Sequence, residues 1–98
     1  PKGFDIAAVF GAITPVAECN RDAARSTCTL DGVLKQDANI TDMIWPVADI
    51  IAYLSRLVHL RAGDLIMTGT PAGVGQIKPG QVCTVAIDGL AEATVTLG

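Results

Sequence analysis

The chain has 98 residues, half of them hydrophobic and 17% charged, with a formal charge of −3, which bounds it to one domain with one core. No apolar run approaches the ~20 residues needed to cross a bilayer, and seven scattered Lys and Arg give no basic stripe for a phosphate backbone, so membrane and nucleic acid are excluded as partners. Cys19, Cys28 and Cys83 are odd in number and form no Cys-x-x-Cys pair, which argues for idle thiols in a reducing cytoplasm rather than a disulfide framework or a zinc site.

In chain order, the first predicted element is a hairpin. Ser26 to Leu30 and Val33 to Gln36 flank Asp31-Gly32, a dipeptide suited to the left-handed angles of a two-residue turn. Thr41-Asp42 is placed to cap a preliminary turn, and Pro46 fits a first helical turn, where a missing amide proton costs nothing. Val47, Ile50, Ile51, Leu54, Leu57 and Val58 recur at spacings of three and four and give one apolar helical stripe. Trp45 at its entrance is expected to be a core or interface anchor rather than a substrate contact. His59, the only histidine, reads as a residue at the helix end, not a catalyst. Pro79-Gly80 turns the chain into a second hairpin, Val82 to Ile87 and Ala91 to Leu97, around Asp88-Gly89-Leu90. The high apolar content implies that the chain buries much of itself.

The stretch between helix and second hairpin, Ala62-Gly63-Asp64-Leu65-Ile66-Met67-Thr68-Gly69-Thr70-Pro71-Ala72-Gly73-Val74-Gly75, reads as a turn, a buried apolar strand over Leu65 to Met67, and a glycine-rich loop. Gly69, Gly73 and Gly75 permit positive φ and close approach of backbone to a ligand, and Thr70 offers a hydroxyl beside exposed amides. A tight turn after a core strand is the plainer alternative. It is not a nucleotide loop, because neither Gly-Lys-Ser/Thr nor Gly-x-Gly-x-x-Gly is present.

Four blocks in order, Lys2-Gly3-Phe4-Asp5, Asn39 to Trp45, the helix Val47 to Leu57, and Gly63 to Gly75, resemble the fumarylacetoacetate hydrolase family in its C-terminal portion, most of all its fumarylpyruvate and acylpyruvate hydrolase branch. The resemblance implies an α+β fold, a mixed, rolled β-sheet with one main helix, forming the C-terminal part of a larger catalytic domain over residues 1–98. It also implies hydrolysis of a C–C bond in a 2,4-dioxo acid, within aromatic-compound catabolism, by an enzyme that needs Mg²⁺ or Mn²⁺; the apolar content and Trp45 add the expectation of a homodimer, and the free thiols that of a cytoplasmic one. Relatives isomerise, hydrate or decarboxylate similar 2-oxo acids. In this family a Glu-x-Glu pair and a later Asp hold the cation; the chain has no Glu-x-Glu, so the resemblance puts those ligands, and a water-activating His and Glu, upstream of Pro1. The abrupt start at Pro1 fits a fragment or processed chain.

By the same resemblance Lys2 is the catalytic lysine, whose ammonium stabilises a developing enolate or oxyanion, and Thr70 with Gly69 receives the substrate carboxylate, the glycine by close backbone approach. Ile6 stands where some fumarylacetoacetases carry a threonine near the metal, which points away from fumarylacetoacetate as substrate. Asp5, Asp42 and Asp64 read as strand-start, helix-start and turn residues rather than ligands. The rival from another class is a noncatalytic β-rich binding or dimerisation module.

Overall fold

The structure is a computed structural model and describes residues 8–18 and 23–98. Lys2, Asp5, Ile6 and Cys19 lie outside the described residues. After a 3-10 turn at Val16–Glu18, the elements are β1 (Arg25–Leu30), β2 (Val33–Asn39), a 3-10 turn at Ile40–Asp42, α1 (Val47–Leu57), β3 (Val82–Ile87) and β4 (Ala93–Thr96). The strands form one antiparallel sheet in the order β2-β1-β3-β4. This is the α+β architecture with one main helix that the sequence implies.

Both predicted hairpins form. Asp31 and Gly32 take φ of 50° and 80°, the left-handed pair that a two-residue turn with the right twist demands. Residue 89 is also left-handed, at φ 79°. The hairpins meet where β1 pairs with β3, from Ser26 opposite Ile87 to Leu30 opposite Cys83, and each turn aspartate closes one end of this seam. The Asp31 amide donates to the Val82 carbonyl at 2.9 Å, while the Val82 amide donates to Asp31 Oδ1 at 2.8 Å. At the other end the Asp88 amide donates to the Arg25 carbonyl at 3.0 Å, and the Arg25 amide to Asp88 Oδ2 at 3.0 Å. Backbone groups at the strand ends, which a ladder leaves unmatched, are thereby satisfied.

Helix α1 begins one residue after the proline, so Pro46 occupies the N-cap with φ −58° rather than the first turn itself. It has no side-chain cap. The preliminary turn is real, but Asn39 caps it: Asn39 Oδ1 accepts the Thr41 amide at 3.0 Å and Asp42 Oδ2 accepts the Asn39 amide at 3.1 Å. That reciprocal pair is a capping box, with Asp42 as its third residue rather than its cap.

Two expectations fail. Leu65 to Met67 joins no strand, and Leu65 and Met67 are both exposed; a β-strand exists only against a partner, and neither edge of the sheet pairs with this segment. Nor does the chain bury much of itself. Among the described residues only Ala24 and Cys83 are buried hydrophobics. The accessible surface is 7675 Å², against about 5,300 Å² for a compact chain of this mass. The apolar stripe of α1 shows why: Val47, Ile51, Leu57 and Val58 are exposed, and Ile50 and Leu54 only half-buried.

Two thiols of adjacent strands, Cys28 of β1 and Cys83 of β3, bring their Sγ atoms to 3.5 Å. Both are free. Burial, followed by the hydrogen bond with Cys83, pushes the Cys28 thiol up from its ordinary value of 9.0, so it stays protonated and unreactive near neutrality. His59 lies exposed just beyond the helix.

No atom lies near the position of a Cβ at Gly32, so Gly32→Ala introduces backbone strain alone. It is expected to lower stability by about 1–2 kcal/mol, read as a shift of the urea midpoint without a change of slope.

Candidate functional site

The β1–β2 hairpin ends at the turn Ile40–Asp42, which delivers the chain to Met43, Ile44 and Trp45 beneath the start of α1. Residues 68–72 of the glycine loop return to face this corner. Between them lies a cavity of about 770 Å³, lined by Ser26 of β1, the end of β2 from Asp37 to Asn39, the link through Trp45, Ile50 of α1, and Thr68 to Ala72. The structure thus brings Gly69 and Thr70, both singled out in the sequence, to one concave surface. Lys2 falls outside the described residues.

Gly69 takes φ of 105°, a conformation open to glycine and strained for other residues. No described residue hydrogen-bonds the Thr70 side chain, which leaves its hydroxyl available to a ligand. Trp45 does not become a core residue; it is half-exposed on the cavity rim, with its ring edge-on to Tyr53 at a centroid distance of 5.4 Å. Ile40, Met43 and Pro71 line the same cavity and add apolar surface to it.

Sequence reasoning missed the contribution of the first hairpin: Ser26, Asp37 and Asn39. The block beginning at Asn39 was visible as a motif, but only the turn that follows β2 places it against the glycine loop. The two carboxylates on the wall are already engaged. Asp37 forms a two-pronged ion pair with Arg25, Nε to Oδ1 at 2.7 Å and Nη2 to Oδ2 at 2.8 Å, whereas Asp42 caps the 3-10 turn. The hydrogen bond from Arg25, reinforced by its charge, holds the Asp37 carboxyl below its ordinary 3.8. Asp64 is a turn residue, as expected, accepting the Arg61 amide at 2.8 Å.

Among the described residues no three His, Cys, Asp or Glu side chains converge. These residues therefore do not form a metal-binding set. No cation lines the cavity among them either.

Residues 1–97 match the fumarylacetoacetate (FAA) hydrolase C-terminal family. The chain belongs to this family. A mitochondrial oxaloacetate decarboxylase of Dictyostelium discoideum is 51% identical over 63 residues, covering 64% of the chain and 29% of the relative. Fumarylpyruvate hydrolase of a Ralstonia species is 36% identical over 97 residues, covering 99% and 50%. An oxaloacetate tautomerase of Escherichia coli K12 is 38% identical over 90 residues, covering 90% and 41%. Among solved structures, fumarylpyruvate hydrolase from Pseudomonas aeruginosa in complex with Mn²⁺ and pyruvate superposes with a TM-score of 0.80 at 40% identity, covering 85% of the chain and 36% of that structure. The chain spans half or less of the length of these relatives. No helix among the described residues is long and apolar enough to cross a membrane.

The Arg25–Asp37 pair predicts a pH signature. Because the folded state lowers the carboxyl's affinity for protons, the pair stabilises the fold above pH ~3.8 and the contribution is lost as pH falls through the lowered value. Denaturant titrations at about pH 5 and pH 2.5 should therefore show a smaller acid loss for Asp37→Asn than for the unsubstituted protein.

Proposed function

We propose that this chain supplies the carboxylate-binding wall of a site that hydrolyses a C–C bond in a 2,4-dioxo acid of the acylpyruvate or fumarylpyruvate type. The observation that carries the proposal is the unpartnered Thr70 hydroxyl beside left-handed Gly69, set in a cavity that Trp45, Ile40, Met43 and Pro71 also line. A short keto acid has that polarity: a carboxylate head for the Thr70 hydroxyl and neighbouring amides, and a carbon chain for the wall of Trp45, Ile40 and Pro71. Excluding water there strengthens each hydrogen bond to the developing charge.

Charge argues for a cation from elsewhere. An anionic substrate facing Asp37 and Asp42 needs positive charge that the described residues do not bring to the cavity. We assign it to the Lys2 ammonium and to a divalent cation, Mn²⁺ or Mg²⁺, held by residues other than those described; such a cation polarises a bound carbonyl. A relative's structure with Mn²⁺ and pyruvate supports this choice. Lys2 and Thr70 then orient the acid and spread its charge.

A second reading keeps the site and changes the reaction to tautomerisation or decarboxylation of oxaloacetate, favoured by the names of two relatives. Cavity geometry does not separate them, since one pocket for a 2-oxo acid suits all three. The proposal extends to a cytoplasmic homodimer, whose contact would cover part of the exposed apolar surface, and to a place in aromatic-compound catabolism.

Assays of the intact protein with an acylpyruvate, fumarylpyruvate and oxaloacetate decide among these readings. Hydrolysis of a dioxo acid, abolished by EDTA and restored by Mn²⁺, is the expected outcome. Turnover of oxaloacetate alone would select the second reading, and no turnover or binding of any of them would favour a noncatalytic module. Thr70→Val should lower kcat/KM roughly ten- to a hundredfold, the worth of one hydrogen bond to a charged group. Lys2→Met should cut turnover with little change in melting temperature; an unchanged rate rejects its role.

A further inference from the structure

The segment that carries Thr70 has no place in the sheet, yet it is held from behind by a strand. Along β2 the pairing with β1 slips: Gln36 stands opposite Cys28, but Leu34 stands opposite Thr29, leaving Lys35 as an extra residue. Such a bulge breaks the alternation of side chains and turns local groups toward new partners. Here they turn toward the glycine loop. Gln36 Nε2 donates a half-buried hydrogen bond to the Pro71 carbonyl at 2.8 Å. Two residues on, Gly73 passes against the Lys35 carbonyl so closely that a Cβ there would collide with that oxygen and press on Gln36 Cγ at 3.0 Å. Gly73 also takes φ of 105°. One polar and one steric contact therefore bracket residues 71–73, immediately after the residue proposed to bind substrate.

We propose that Gln36 is a positioning residue: through Pro71 it sets where Thr70 and Gly69 stand over the cavity, and so sets affinity for the substrate carboxylate. Gln36 does not itself line the cavity, so it acts through the loop. The inference rests on Thr70 being the carboxylate-binding residue. A hydroxyl displaced by about 1 Å is enough to lose a large factor in rate or binding, and the Gln36 hydrogen bond, the one polar tether of residues 68–73 among the described residues, controls a displacement of that size.

The test uses the intact protein loaded with Mn²⁺, with pyruvate as the probe. Gln36→Met keeps the length of the side chain and removes the donor; Gln36→Glu places a charged acceptor against the Pro71 carbonyl. Both are expected to raise the Kd for pyruvate tenfold or more and to speed amide hydrogen exchange in residues 68–75 by a similar factor. Mn²⁺ affinity and exchange in β1 and β3 should stay within twofold, which a general loss of stability would not allow. If Gln36→Met does not fold, Gly73→Ala pushes the same loop off the Lys35 carbonyl of β2 and should move both readouts in the same direction. A folded variant with pyruvate affinity within twofold of the unsubstituted protein overturns the proposal, whether or not loop exchange rises. Failure of the unsubstituted protein to bind pyruvate at all is a separate result that sinks the assignment of Thr70 itself.

Discussion

The seam between β1 and β3 is the contact on which the remaining structure hangs. It joins strands separated by more than half the chain, and it is closed at both ends by the same device, a turn aspartate whose amide and carboxylate engage the other hairpin's strand end. Strand β2 pairs with β1 alone, so everything β2 carries inherits its position from this seam. That includes the capped turn at Asn39, the bulge at Lys35 and the wall formed by Asp37 and Ala38. The glycine loop is fixed one step further out, by its contacts with the bulge.

Much of this was legible in the residues because it rests on local chemistry. Asp31-Gly32 announced a left-handed turn because few other dipeptides accept those angles, and the stripe from Val47 to Val58 announced a helix because its spacing fits no strand. Thr70 was singled out from its glycine neighbours and from the family likeness, and the structure places it on the cavity wall. Features that depend on distant partners were not legible. Nothing in Asp31 or Asp88 indicates that each carboxylate reaches across to the opposite hairpin, and the slip at Lys35 is invisible because a bulge is defined by the partner strand. Leu65 to Met67 has the composition of a strand but pairs with no strand among the described residues.

The expectation of a well-buried chain failed for a related reason. Apolar composition states how much surface is worth removing from water, not which surface will cover it. The helix illustrates the difference: its stripe is as regular as a core helix requires, and most of it faces solvent. A site whose apolar wall continues into such uncovered surface, through Trp45 and Ile44, is part of a larger hydrophobic face rather than an isolated pocket.

The order of elements along the chain has a consequence for how the protein assembles. Every described wall of the cavity, from Ser26 to Ala72, leaves the ribosome before β3 and β4, and the β1–β2 hairpin forms within microseconds from neighbouring residues. Closing the β1–β3 pairing must wait for residues more than fifty positions later, which makes it the slow, non-local step. During synthesis the future site therefore exists as an unbraced hairpin and a free loop, and Asp88, which emerges directly after β3, completes the lock that makes them rigid.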